Sequence, residues 1–144
     1  MLDQAFDALK SFDWGMDLKA LKPIDEAVVK THGDAAGRKE LESRLVAALK
    51  SAATRDAKDY ICRTLMIVGT AESVPALAVL LTEKDHSHMA RYALERIPDA
   101  AAAQALRESL AKLAGALKIG AIASLGVRGD AASVPALSAL LGDS

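Results

Sequence analysis

Residues 69–81 read GTAESVPALAVLL and residues 129–141 read GDAASVPALSALL, the same pattern at a constant offset of 60 without a gap. Identity over most of a helix at a fixed period points to duplicated structural units. Sixty residues is about twice a helix-pair unit, and the intervening unit is present. Taking Gly69 as an anchor, its counterparts are Gly33, Pro98 and Gly129, spaced 36, 29 and 31 residues apart. Eight residues beyond each anchor stand Leu41, Leu77, Leu106 and Leu137, and twelve beyond stand Leu45, Leu81, Leu110 and Leu141. Four before stand Val29, Leu65, Leu94 and Leu125. Leucines at i and i+4 share one helical face, so each unit's second helix turns the same stripe toward its neighbours. Asp34, Thr70, Asp99 and Asp130 follow the anchors and are suited to cap that helix. The anchor glycines suit a left-handed residue ending the first helix.

Composition agrees with closely approached helices. Of 144 residues 51% are hydrophobic but only 3% aromatic, so Ala, Leu and Val do the packing. Nineteen acidic residues against 18 basic ones give a net charge of −1, which carries no polyanion-binding footprint. A lone cysteine, Cys62, forms no intrachain disulfide. Lys118 interrupts the best apolar run, residues 113–127, so no membrane span is expected. The opening residues lack the form of a signal peptide, and the cytoplasm is the default compartment if Met1 is the native start.

In chain order, a single all-α domain over residues 1–144 is expected, with a cap over 1–16 and units at about 17–50, 51–83, 84–113 and 114–142. Three of the five aromatic residues, Phe6, Phe12 and Trp14, fall in the cap, where their rings would fill the surface a preceding repeat would cover. Pro23 places the start of the first helix of unit one, after a short turn at Leu18–Leu21, and that helix runs to His32. Its second helix spans Ala35–Lys50. In unit two the helices are Asp56–Val68 and a segment to Thr82, the latter starting at Thr70 or, as Pro135 at the same place favours, at Pro75 after a turn. Unit three has Asp85 as cap, a helix to Ile97 and a second helix Ala100–Leu113. Unit four has Gly115–Val127, whose Gly115, Gly120 and Gly126 suggest close approach. The last helix has no polar outer face. Further repeats or another domain, a second copy of the chain, or simple tolerance of an apolar edge would account for it.

The residues ALxxIPD at 93–99 and GTAESVPAL at 69–77 resemble the HEAT repeat, in the short bacterial form of phycobilin-lyase-like repeat proteins. The likeness covers about residues 17–142. It implies a right-handed α-α superhelix, a HEAT-like solenoid of about four helix pairs, used mostly to bind other proteins, and it brings no catalytic residue. The chain departs from the family where a basic residue is frequent early in the first helix: Lys58, Ser87 and Lys118 stand there, so the usual polar ladder between units is not expected intact.

Motifs for chemistry are sparse. No phosphate loop, cysteine pair, GxSxG or HExxH occurs. Asp85-His86-Ser87-His88 has metal-ligand residue types at poor spacing, since residues two apart on a helix diverge. The His-Glu pairs by which HEAT-like hydroxylases hold iron are lacking, so no metal and no cofactor is expected. Cys62 reads as a buried small hydrophobe. What is left is the strip opposite the leucine stripe of the second helices: Lys39, Ser43 and Val46 in unit one, Glu72, Pro75, Val79 and Thr82 in unit two, Gln104, Glu108 and Ala111 in unit three, Pro135 and Ala139 in unit four. In helix-pair solenoids this is the concave face where partners dock. A non-catalytic protein-protein interaction scaffold, or a segment of a longer chain, is the expected function. The alternatives are a HEAT-like chromophore lyase, detectable by a tetrapyrrole's spectral change, and a nucleic-acid binder, which Val79, Gln104 and Glu108 do not favour. The expected partner is therefore another protein, with neither nucleic acid nor membrane, and with self-association through the open C-terminal unit as a further expectation.

Overall fold

The computed structural model describes residues 2–13, 15–51 and 54–129, which form eight α-helices with no strand among them. The helices are α1 (Leu2–Lys10), α2 (Lys22–Lys30), α3 (Ala35–Ser51), α4 (Arg55–Val68), α5 (Val74–Leu80), α6 (Ser87–Arg96), α7 (Ala100–Ser109) and α8 (Gly115–Arg128). Single 3₁₀ turns, Leu18–Leu21 and Ala71–Ser73, precede α2 and α5. Trp14, Asp130, Pro135, Leu137, Ala139 and Leu141 lie outside the described residues, and with them the second helix expected in unit four.

Two rows of helices pack side by side: α4 on α6 and α6 on α8 in one, α3 on α5 and α5 on α7 in the other. Between the rows, Leu41, Leu77 and Leu106, with Leu45, Leu81 and Leu110, are buried, so the leucine columns of the second helices form the core. Leu65, Leu94 and Leu125 close it from the other side. At the N-terminal end α1 lies against α2 and α3, and Phe6 and Phe12 are buried there. Thr54 Oγ1 donates to the Phe12 carbonyl and accepts from Ala57 N at 3.1 Å, so one hydroxyl both starts α4 and ties it to the end of α1.

The caps follow from the residues after each anchor. Asp34 Oδ1 accepts from Gly37 N at 3.1 Å, Thr70 Oγ1 from Glu72 N at 3.3 Å and Asp99 Oδ1 from Ala101 N at 2.8 Å. Pro75 sits in the first turn of α5, where its missing N–H costs nothing. α5 and α7 end earlier than their apolar pattern, at Leu80 and Ser109. Leu81 N turns to Ala78 O and Leu110 N to Arg107 O, i→i−3 bonds that tighten each exit into a turn.

Four expectations are corrected. Val29 is 75% exposed, and Val28 beside it packs against the core instead. The reason is that α2 packs on α1, which is not a repeat, so its rotation differs from that of α4, α6 and α8. Gly33 and Gly129 are left-handed (φ 84° and 62°), but Gly69 is not (φ −67°). A Cβ at Gly69 would lie 2.5 Å from Leu65 O and 3.0 Å from Ile97 Cδ1, so glycine is needed there for close approach of the next unit. Asp85 does not cap α6; His86 is the N-cap residue and gives no side-chain capping bond, while Ser87 N bonds Glu83 O at 2.8 Å. Of the α8 glycines only Gly120 meets a neighbour, the Arg91 guanidinium, whereas Gly126 faces open space.

Candidate functional site

Each first helix from α4 onward presents four faces, and the polar bonds sort them. The core face carries Ile61 and Leu65, Ala90 and Leu94, Ala121 and Leu125. The face toward the preceding unit carries Tyr60, whose hydroxyl donates to Asp25 of α2 at 2.7 Å, and Ser124, whose hydroxyl donates to Glu95 of α6 at 2.7 Å. Arg91 on the following-unit face of α6 donates to Gly120 O at 3.0 Å, and Arg128 reaches back to Leu94 O at 2.7 Å and Ile97 O at 2.5 Å. These bonds tie α4 to α2 and α8 to α6. The outer face is the variable one: an Asp59–Arg63 ion pair at 3.1 Å on α4, His88 edge-on to Tyr92 on α6, and on α8 only Ile119, Ala123 and Val127.

The second row is joined by a carboxylate that sequence reasoning missed. Glu42 of α3 is 1% exposed and accepts from Thr70 N at 2.6 Å, Thr70 Oγ1 at 2.9 Å and Ser73 Oγ at 2.5 Å. It supplies the acceptors needed by the opening turn of the next unit's second helix, where the N–H groups have no intrahelical partner. The signal was available: Glu42 stands nine beyond its anchor, where the described counterparts are Ala78 and Arg107.

The groups with catalytic or metal-binding potential do not converge. His86 Nδ1 lies 2.6 Å from Glu83 Oε2, while His88 turns to Tyr92 with ring centroids 6.3 Å apart. Among the described residues no group of three or more His, Cys, Asp or Glu is placed to hold a metal. Burial, with Asp59 adding to it, pushes the Cys62 thiol up to about 12, so it is a protonated packing residue rather than a nucleophile. Burial and the hydrogen bond to Asp25 likewise raise Tyr60 well above the usual phenol range. Ser87 Oγ is buried without a hydrogen-bond partner among the described residues, so no base stands ready to activate it. Among the described residues no helix is long and apolar enough to cross a membrane.

The predicted strip fares differently. Lys39 and Ser43 of α3, Pro75 and Val79 of α5, Thr82 in the turn after it, and Gln104 and Glu108 of α7 are all exposed; Ala139 lies outside the described residues. Lys39 pairs with Glu72 at 3.6 Å across the first two units, and Gln104 donates to Glu108 at 2.9 Å. Two grooves bring part of the strip together. One, of about 430 Å³, runs between α5 and α7 and is lined by Val79, Thr82, Glu108 and Lys112, among others. The other, of about 370 Å³, lies between α3 and α5, with Pro75 and Val79 on its edge and Lys50 and Lys58 also lining it. Val79, 65% exposed, borders both. Lys39, Ser43 and Gln104 line neither groove. No family model, no curated protein and no solved structure matches the chain.

Proposed function

We propose that the chain is a non-catalytic helical-repeat module, a HEAT-like right-handed solenoid, that binds another protein along the exposed face of α3, α5 and α7. The observation that supports this reading is Val79, a large apolar side chain left 65% exposed between two grooves. Its position between the grooves, rather than its exposure, sets it apart from Val29 and Ile67, and covering it would bury apolar surface on both sides at once. The polar groups around it bind and orient rather than react, because no nucleophile-base pair lies among them. The test is crosslinking in cells of the source followed by identification of the adducts. A photoreactive residue at position 79 should trap one defined protein, and the same residue at exposed Asp7 on α1 should not. Equal, unspecific adducts from both positions would refute the reading.

A second reading has its own observation. On α8 the exposed Ile119 (68%) and Val127 (66%) stand two turns apart with Ala123 between, an apolar stripe facing outward. Self-association through this C-terminal unit would cover it. Sedimentation velocity of the wild type against Ile119→Lys/Val127→Lys tests it: a dimer that becomes a monomer supports the reading, and a monomeric wild type ends it.

A further inference from the structure

The groove between α3 and α5 has a chemistry that narrows the partner. Its floor is apolar: Leu49, Ala76 and Leu80 are buried beneath it, and Pro75 and Val79 form one lip. Lys50, at the end of α3, and Lys58, near the start of α4, also line it. Neither ammonium is in an ion pair among the described residues, so both are open to an incoming anion. The one carboxylate at the groove, Glu83, already has its Oε2 2.6 Å from His86 Nδ1. An apolar slot is thus bordered by two lysines and one carboxylate, a net positive charge. The neighbouring groove repeats the theme at lower strength, with Lys112 beside a Glu108 that accepts from Gln104.

We infer that the α3/α5 groove is the docking site for an acidic, apolar-anchored peptide segment of another protein, with one large aliphatic or aromatic side chain seated on Leu49, Ala76 and Leu80 against Val79 and adjacent Asp or Glu side chains paired to Lys50 and Lys58. The volume, about 370 Å³, is at the small end of ligand sites, suited to an anchor of one or two side chains rather than to a folded domain. The lysines steer an anionic segment and select against a basic one, and the apolar floor supplies the held contact. The inference rests on the protein-binding reading above and adds the chemistry of the bound segment.

The test uses the full chain and a phage-displayed library of random dodecamer peptides. Selected peptides should combine Leu, Ile, Phe or Trp with nearby Asp or Glu. A labelled selected peptide, followed by fluorescence anisotropy, should lose about tenfold or more in affinity on Val79→Asp and on Lys50→Glu/Lys58→Glu, and keep it on Ile119→Lys. All four positions are solvent-accessible, and circular dichroism confirms that each variant is folded. Exchanging the peptide's acidic residues for Lys should restore binding to Lys50→Glu/Lys58→Glu, a rescue that no structural defect would give. Peptides without acidic residues, or an affinity unmoved by both groove variants, overturn the inference while leaving the protein-binding reading standing if another face is mapped. A library that yields no binder overturns the inference, and the crosslinking at position 79 decides the protein-binding reading by itself.

Discussion

Replacing Glu42 tests whether the buried carboxylate is what joins the first unit to the second. In Glu42→Ala, Thr70 N and Ser73 Oγ lose their acceptor, and Ser73 is fully buried. A buried donor left unmade costs about 1–3 kcal/mol, while removing the carboxylate also removes its own desolvation cost. The net loss should be about 3 kcal/mol, a large part of the 5–15 kcal/mol typical of a domain. Glu42→Gln keeps Oε1 as acceptor for both donors, and its amide N–H can donate to Thr70 Oγ1, which now lies 3.0 Å from Oε2. It should cost about 1 kcal/mol or less. Urea unfolding followed by far-ultraviolet circular dichroism gives both values, and a Glu42→Ala/Ser73→Ala cycle should return a coupling of about 1–2 kcal/mol. Because this carboxylate is the buried polar tie from α3 to the opening turn of α5, amide exchange in α1–α3 should accelerate more than in α6–α8. Equal losses in the Ala and Gln variants, or a loss below about 0.5 kcal/mol in Ala, would show that packing alone holds the junction.

Further outcomes are expected for the α8 glycines, for an exposed against a buried position, and for Cys62. Gly126→Ala should stabilise α8 by up to about 1 kcal/mol, seen as a higher midpoint in urea, because the added methyl meets nothing within 4 Å. Gly120→Ala should gain little or nothing, because its methyl would displace the Arg91 guanidinium 2.6 Å away and disturb the bond to Gly120 O. Val29→Ser should change stability by less than about 0.5 kcal/mol, whereas Leu94→Ala should cost about 2–5 kcal/mol, as the same denaturation assay would show. Folded Cys62 binds its proton more tightly than the unfolded thiol, from an ordinary value of 9.0 up to about 12. Its contribution is therefore complete below about pH 9 and falls by about 1.4 kcal/mol per pH unit as pH rises toward 12. Tyr60 is shifted in the same direction, so Cys62→Ala should lessen the alkaline loss rather than abolish it. The Cys62 thiol should also react with a disulfide reagent only in denaturant.

The second helices were legible because their phase is local. Once Asp34, Thr70 and Asp99 set where a helix opens, the leucines eight and twelve beyond each anchor must share its inner face, and Leu41, Leu77 and Leu106 do. Val29 was misread because a column in the sequence fixes phase only if each unit packs on another unit, and α2 packs on α1. Gly69 was misread because two different needs select glycine, and only the approach of Ile97 distinguishes them. Glu42 was passed over because a charge inside an amphipathic helix reads as a solvated position until its acceptors are matched to donors 28 and 31 residues away. The strip of exposed residues was legible as a face but not as a pair of grooves. Ridges at Val79 and pits above Leu49 and Leu80 arise from the spacing between helices, which depends on buried contacts such as Gly69 against Ile97 and Glu42 against Ser73. The same dependence links stability to binding in this chain. A change at Glu42 or Gly69 that lets α3 and α5 shift would open the slot between Leu49 and Val79 without touching it. Loss of peptide affinity in Glu42→Gln at nearly unchanged stability would show that coupling directly; unchanged affinity would show that the groove is set by its own walls.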